Sequence, residues 1–344
     1  MVWWNAAWHR VADPFRHPLD GVQSLLNPIG TVADKLRVGL LRLKLSGMAI
    51  GDILTGPETS IMEALKEEGF SDSIIGKFFR PFLGGIFFDN ELGTSSRLFN
   101  FVMKMLSSGS NTLPARGIGA LSDNLAGQLP PECIRTGSHV TACSGAADGA
   151  LPSVQLSSGE VVTARMGVVV ASEGPVAGKL LGAVLDASPS KASPGVGTCC
   201  LYFRAPSPPP NTENILYLNG EGTGLVNNCC FPSTVSPEYA PKGETLASVS
   251  VVGTQDELKD EELEAGVRSQ LSTWFGPKYV STWKHIRTYR IPFCQPNQAP
   301  PTNFSRPVSL GSGLYVCGDH RDSATFDGAL KSGRRAAEAL LASK

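Results

Sequence analysis

This chain of 344 residues, 42% hydrophobic and 18% charged, has the composition of a folded globular protein and not of a disordered one. Its 30 basic and 31 acidic residues give a net charge of −1 and form no dense basic run, so no nucleic-acid partner is expected. The length allows two domains, or one large α/β domain with an insertion.

The cysteines and histidines give no metal-binding pattern. The eight cysteines include the vicinal pairs Cys199-Cys200 and Cys229-Cys230 but no Cys-x-x-Cys, and the five histidines are scattered. We therefore expect no metal site, and free thiols of the kind found in a reducing, intracellular compartment.

Three tryptophans, Trp3, Trp4 and Trp8, open the chain. Such a cluster can make a peripheral membrane contact, hold an apolar substrate, or pack on its own domain, which is the commonest use. No apolar signal-peptide region follows the start. Basic residues interrupt the longest apolar stretch, Leu36 to Ile50, so no membrane-spanning helix is expected.

Residues 31–107 read as a mostly helical block. Thr31 with Asp34, and Ser60 with Glu63, have the spacing of capping boxes at helix starts. Apolar residues then recur at helical spacing. The predicted helices follow Thr31 through Leu43, run from Ser60 to a stop at Gly69, from Asp72 to Arg80 with a stop at Pro81, and from Ser96 to Leu106.

The middle of the chain alternates between helix and strand signals. A helix is predicted from Ile118 to Leu129, and Ser158-Gly159 supplies a hairpin turn. The continuous apolar run Met166 to Ala171 is typical of a strand buried on both faces. Short strands are predicted from Thr198 to Arg290, including one from Tyr279 to Ile291 and interrupted by a helix over Asp256 to Phe275.

The last thirty residues carry the clearest chemical signal. A short apolar strand, Leu314 to Cys317, leads into Gly318-Asp319, and a polar loop follows. Thr325 is a plausible N-cap for a final helix that opens with the small residues Gly328 and Ala329. Backbone N–H groups at such a helix start can face an anionic cofactor. The residues alone also fit an ordinary strand, loop and helix with a surface Asp.

The tail resembles the C-terminal flavin-binding motif of the flavin amine oxidase superfamily, which includes phytoene desaturases, protoporphyrinogen oxidases and amine oxidases. The family pattern is a strand ending in Gly-Asp, followed by Ser/Thr-x-x-Gly-Ala-x-x-Ser-Gly. This chain has Gly318-Asp319 and then Thr325-Phe326-Asp327-Gly328-Ala329-Leu330-Lys331-Ser332-Gly333. Weaker similarities extend back to Leu113 and His139-Val140.

The resemblance implies FAD as cofactor and assigns roles to individual residues. Asp319 would bind the ribityl or pyrophosphate part of FAD. Gly328, Ala329 and Leu330 would offer N–H groups toward the N1/O2 edge of the flavin. The main chain of Val140 would hold the adenine. No side chain stands out as a catalytic acid, base or nucleophile, in keeping with flavin chemistry.

One part of the family pattern is not found in the sequence. The family begins with a strand and a Gly-x-Gly-x-x-Gly turn, followed about 20 positions on by an acidic residue. The nearest match, Gly117 to Ser122, has Ser122 at the third glycine and no preceding strand. We therefore expect Met1 to fall inside the family fold, and a truncated N-terminus.

The predicted fold class is α/β with an α+β substrate part. It consists of an incomplete Rossmann-like FAD-binding domain with an interleaved helical and β-sheet substrate-binding domain. The expected segments are an N-terminal stretch 1–30, a helical substrate part 31–110, an FAD-binding part 111–190, a β-rich substrate part 191–290 and a C-terminal FAD-binding part 291–344.

The expected function is that of an FAD-dependent oxidoreductase, or its C-terminal portion, removing a hydride from a C–H or N–H bond of an apolar small molecule. The alternative is a catalytically inactive, truncated homologue that acts as an interaction or binding protein. Resemblance to desaturases implies an intracellular, plastid or cyanobacterial-type setting.

Overall fold

A computed structural model describes residues 1–12, 21, 24–182, 185, 195–209 and 215–343. Its α-helices are α1 Val32–Gly47, α2 Ile50–Thr55, α3 Ile61–Glu67, α4 Asp72–Ile74, α5 Arg80–Phe87, α6 Ser96–Ser108, α7 Gly119–Ala126, α8 Gly174–Leu181, α9 Pro232–Val235, α10 Asp260–Phe275, α11 Pro277–Val280 and α12 Phe326–Ala342. Its strands are β1 Val2–Trp4, β2 Ala7–His9, β3 Val140–Ser144, β4 Ser153–Leu156, β5 Val161–Thr163, β6 Val168–Val170, β7 Gly195–Ala205, β8 Tyr217–Asn219, β9 Asn228–Cys230, β10 Thr245–Val252, β11 Lys284–Pro296, β12 Ser309–Gly311 and β13 Leu314–Val316.

The chain forms two compact units, each assembled from two stretches of sequence. The first contains Met1–Asn124 and Val196–Cys294, and the second contains Leu125–Gly195 and Gln295–Lys344. The mixed α/β class is confirmed. The predicted segment boundary between residues 190 and 191 lies outside the described residues, and the five segment limits stay a prediction.

The first unit is built on a long, mostly antiparallel sheet. Among the described residues its strand order is β11-β7-β10-β9-β8-β1-β2. Residues along β10 alternate between buried and half-buried, as its alternating sequence requires. Leu201, Phe203 and Val249 are fully buried in its core, where they pack with buried side chains of α10. Each such side chain contributes about 1.5–3 kcal/mol by burial.

The N-terminal tryptophans belong to this unit. The Trp8 ring packs edge-on against Trp3, Tyr217 and Trp274, with ring centroids 5.0, 5.0 and 5.4 Å apart. The Trp8 indole Nε1 also donates to the Trp274 carbonyl at 3.2 Å. Packing of the cluster on its own domain is therefore confirmed.

The helical block of the first unit begins as the capping signals predict. Thr31 caps α1 and Ser60 caps α3, each with a complete capping box. However, α1 buries Leu41 and Leu45 and leaves a stripe of four apolar residues exposed. The exposed stripe consists of Val32, Leu36, Leu40 and Leu43, which are 58%, 61%, 65% and 57% exposed.

The predicted stop at Pro81 is wrong. Helix α4 continues through a π-helical turn, Ile75–Phe79, directly into α5, in whose first turn Pro81 lies. A widened turn before a proline accommodates both its missing N–H group and the bulk of its ring. The chain after Pro81 is thus helical to Phe87.

The described residues of the second unit form two small sheets. In one, β13 pairs with β12 antiparallel and with β6 parallel, and in the other β3, β4 and β5 form an antiparallel meander. The expectation that the Met166–Ala171 strand is buried on both faces is wrong, because β6 is an edge strand and Val169 is 37% exposed. Val170 alone in this strand is buried.

Other boundaries shift by a few residues. The helix predicted from Ile118 is the shorter α7, and the helix predicted from Asp256 begins at Asp260. Tyr279 and Val280 lie in α11, whereas they were expected in a strand. None of the described helices is long and apolar enough to cross a membrane.

Candidate functional site

The candidate site lies where β13 ends. Leu314, Tyr315 and Val316 are buried, and the strand runs parallel to β6, so the carboxyl ends of both strands share one edge. This edge is where α/β sheets bind ligands. Gly318 follows with φ +146°, and a Cβ atom there would lie 2.6 Å from the His320 ring. The main chain therefore requires glycine, and it presents Asp319 with its side chain 26% exposed.

Helix α12 begins as predicted, with Thr325 as N-cap. The Thr325 hydroxyl accepts from the Gly328 N–H at 2.9 Å, and the Thr325 carbonyl accepts from the Ala329 N–H at 3.0 Å. A Cβ atom on Gly328 would overlap the Ser323 carbonyl. The chain's own loop thus requires this glycine, and two N–H groups expected to face a flavin are bonded within the helix start.

Ser332 joins this helix to the strand end. Its hydroxyl accepts from the Gly318 N–H at 2.9 Å and lies 2.8 Å from the carbonyl oxygens of Gly318 and Ala329. Ser332 is fully buried. Ser332 has a fixed place in the family pattern, but the sequence did not reveal these bonds.

His320 is the site residue that the sequence did not reveal. Its side chain is only 10% exposed, and neither ring nitrogen has a hydrogen-bond partner within the described part of the chain. The Asp319 Oδ1 atom is 3.9 Å from the His320 Nδ1, too far for a hydrogen bond. The ring also lies close to Gly174 at the start of α8. Its position directly after Gly-Asp was the only available signal.

A small polar cavity of about 30 Å³ adjoins His320. Asp319, His320, Asp322 and Arg306 line it, together with residues 296–299 and 301–304. Burial lowers the pKa of the Arg306 guanidinium, which donates to the His320 carbonyl at 3.3 Å. Asp322 lies 3.2 Å from the Arg335 guanidinium, so that carboxylate is neutralised.

The other predicted contacts are more dispersed. Leu330 is 49% exposed on the first turns of α12. Val140 begins β3, where it pairs with Leu156 in the separate meander sheet. Gly318, Asp319, Thr325 and Gly328 are thus joined by one loop and helix start, whereas Val140 lies in another sheet.

The first unit has a larger cavity, of about 420 Å³, beside α10. Two of its polar side chains are engaged by the chain itself. The Gln270 side chain accepts from the Val226 N–H at 2.8 Å and donates to the Thr223 carbonyl at 3.2 Å. Glu221 accepts from the Asn5 N–H at 2.6 Å.

Burial raises the pKa of most of the thiols, which makes them less reactive. All eight cysteines are free. Burial raises the pKa of Cys230 to about 11 and that of Cys317, beside the site, above its ordinary value. Among the described residues, no group of three or more His, Cys, Asp or Glu side chains is placed to hold a metal ion.

Comparisons with solved structures find a similar fold in several oxidoreductases. An oxidoreductase from Methanosarcina mazei matches with a TM-score of 0.69 and 17% identity over 89% of this chain and 72% of that chain. A provisionally assigned protoporphyrinogen oxidase from Exiguobacterium sp. 255-15 matches with a TM-score of 0.66 and 16% identity, covering 94% and 75%. A putrescine oxidase variant redesigned for cofactor binding matches with a TM-score of 0.64 and 13% identity, covering 91% and 76%.

Among curated protein sequences, none matches this chain. The profile of the family described as "Flavin containing amine oxidoreductase", however, matches residues 5–341, which is nearly the whole sequence. The chain therefore belongs to the flavin-containing amine oxidoreductase family, whose cofactor is FAD, and it is a flavin oxidoreductase.

Proposed function

We propose that this protein removes a hydride from a C–H or N–H bond of an apolar small molecule, and that Asp319 and the start of α12 hold part of its FAD. The observation that carries this proposal is the buried strand β13, which ends in Gly318-Asp319 beside a capped helix. The residues present fit the cofactor: an accessible carboxylate, a close main-chain approach at Gly318, and His320 ring nitrogens without partners.

Each residue has a definite task in this proposal. The Asp319 carboxylate accepts hydrogen bonds from cofactor hydroxyl groups, since ionised acceptors bind such groups strongly. Ser332 fixes the Gly318 main chain through both its N–H and its C=O, so that Asp319 is held in place. The N-terminal end of α12 adds a positive dipole. Bound FAD supplies the hydride acceptor.

Flavin binding is the first test. Purified protein should show a flavin absorption band, or its melting temperature should rise on addition of FAD, because a ligand that binds only the folded state stabilises it. At 100 times Kd the gain is about 2.7 kcal/mol. A colourless protein whose melting temperature does not change with FAD would contradict the proposal and favour the inactive alternative.

Replacement of Asp319 tests the site itself. Asp319→Ala should weaken FAD binding about tenfold or more, because the removed carboxylate makes charge-assisted hydrogen bonds. Asp327→Ala is the matched control, since Asp327 is 55% exposed and pairs with Lys331 on the same helix start. Equal FAD affinity in wild type and Asp319→Ala would remove Asp319 from the site.

The apolar substrate is inferred from the character of the reaction. Hydride transfer to a flavin needs a positioned, desolvated C–H or N–H bond more than an acid or base. Anaerobic incubation of the FAD-loaded protein with apolar polyenes and with amines, followed by loss of the oxidised flavin band, distinguishes the two substrate classes. Failure of both classes with FAD bound would favour the inactive alternative.

We also propose a peripheral membrane contact through the exposed stripe of α1. Four apolar side chains lie at the surface, and at helical spacing Lys35 and Arg42 flank them on one side and Arg37 on the other. Lys44, also on the Arg37 side, is paired with Glu68 at 2.6 Å. Such a pattern favours an anionic lipid surface.

Wild type should sediment with phosphatidylglycerol vesicles, and the double variant Leu36→Glu with Leu40→Glu should not. Val161→Glu on exposed β5 is the control.

A further inference from the structure

The starting observation is the pair of open nitrogen atoms on His320. A buried imidazole always carries at least one N–H donor, and a buried donor without a partner costs folding stability. His320 is nine-tenths buried, and neither nitrogen is bonded within the described residues. Native proteins retain such groups mainly where a ligand completes them.

Two glycines leave room for the ring. A Cβ atom at Gly318 would lie 2.6 Å from the Cε1 and Nδ1 atoms of His320, and a Cβ atom at Gly174 would lie 3.5 Å from its Cβ and Cγ atoms. The Arg306 guanidinium donates to the His320 carbonyl and so contacts the same residue through its main chain. The unbonded ring thus fills the space beside these glycines, next to Asp319.

The charge around the ring favours an anion. Among the described residues, the structure records no carboxylate within ion-pair distance of Arg306, which lines the same cavity as His320. Asp322 in that cavity is paired with Arg335. Asp319 is the remaining carboxylate, and it is partly exposed. One half-buried cation and one donor ring are thus left without an anionic partner.

We propose that the His320 ring donates a hydrogen bond to a phosphate oxygen of the bound flavin nucleotide, with Arg306 supplying the neighbouring positive charge. This inference rests on the proposed function, because it assumes that Asp319 holds the same nucleotide. His320 is then a binding residue that donates a hydrogen bond to the phosphate, whereas Asp319 accepts hydrogen bonds from hydroxyl groups. The ring has a hydrogen-bond partner only when the ligand is bound.

This role predicts opposite effects on stability and binding from one substitution. His320→Leu removes both nitrogen atoms and keeps a side chain that fills the space. The flavin-free protein should therefore melt about 2 °C or more higher, while FAD binds about tenfold or more weakly. A histidine with only a packing role would lose stability and leave FAD affinity unchanged.

The test measures Kd by flavin fluorescence and the melting temperature, for FAD and for riboflavin, which has no phosphate. His320→Leu should weaken FAD and leave riboflavin unchanged, and His320→Gln, which keeps an N–H donor, should retain FAD affinity within about threefold. His285→Leu is the control, since His285 is bonded to Thr288 at 2.9 Å and should not affect FAD.

The failures are distinguishable. If wild type binds FAD and His320→Leu binds it equally well, His320 does not contact the nucleotide and only this inference falls. If riboflavin is weakened as much as FAD, the phosphate assignment is wrong. If wild type does not bind FAD at all, both this inference and the proposed flavin site fail. Should His320→Leu not fold, His320→Gln and its FAD affinity still decide: loss by more than about threefold contradicts the hydrogen-bonding role.

Discussion

Two buried polar side chains, Asp34 in the helical block and His320 after β13, differ in how the chain treats them. The Asp34 carboxylate is fully buried and accepts from the N–H and hydroxyl groups of Thr31 and Ser71 at 2.6–2.8 Å. His320 is nearly as buried and has no such donor or acceptor among the described residues. The polar group that serves the fold is hydrogen-bonded within the chain. The one that we assign to a ligand has no hydrogen-bond partner among the described residues.

The largest expected effect comes from breaking the closed network. Asp34→Ala removes the acceptor that caps α1 and also ties it to Ser71, leaving buried donors without a partner. We expect a loss of about 3 kcal/mol in the free energy of unfolding. Asp52→Ala, an exposed aspartate in the first turn of α2, should change it by less than about 0.5 kcal/mol. Denaturant unfolding compares the two; equal losses would show that the Asp34 network contributes little.

Acid titration sharpens the same contrast. Burial raises the pKa of Asp34, but hydrogen bonds from Ser71 and Thr31 outweigh it and lower the value from 3.8 to about 2. The folded-state pKa is thus below the unfolded one, so the contribution is present above about pH 4 and lost as pH falls toward 2. The shift corresponds to about 2 kcal/mol. Wild type should lose this much more than Asp34→Asn between pH 5 and 2; parallel curves would contradict it.

The contrast also shows what could be read from sequence. Thr31 with Asp34 is a local signal over three residues, and it predicted the helix start correctly. The bond to Ser71 spans 37 positions and depends on tertiary packing, so no pattern announces it. Likewise the Gly318-Asp319 and Thr325 to Gly333 pattern located the candidate site, but not the burial of the His320 ring without a partner, because that depends on how distant stretches, such as the one with Gly174, pack around it.

The sequence also did not reveal that one apolar face of α1 is exposed, because this too depends on tertiary packing. Periodicity predicted a helix at Leu36 and Leu40 because it reports spacing along one face. It does not report what lies opposite that face, and these leucines are at the surface. The predicted helix stop at Pro81 was wrong for a different reason. A π-helical turn before the proline lets the helix continue, and the sequence does not reveal that turn.

Two glycines of the C-terminal pattern, Gly328 and Gly333, lie in the same helix but differ in how closely other atoms pack against them. Gly328 packs against the Ser323 carbonyl, and an added Cβ atom would overlap it. We expect Gly328→Ala to cost about 1–3 kcal/mol through overpacking, with disruption of the Thr325 cap. Thermal unfolding of the flavin-free protein measures this. Unchanged stability would mean that the loop carrying Ser323 yields easily, and that the glycine is kept for a ligand instead.

Gly333, five residues further along α12, gives the smallest effect and the opposite sign. An added Cβ atom there would meet nothing within 4 Å. Because glycine within a helix is less stable than alanine by about 0.5–1 kcal/mol, Gly333→Ala should stabilise the flavin-free protein by that amount. Its FAD affinity then decides why the family pattern has glycine at this place. Unchanged affinity would show that the space beside Gly333 is spare, whereas weaker binding with higher stability would place Gly333 with His320, among the positions that the chain leaves open for the cofactor.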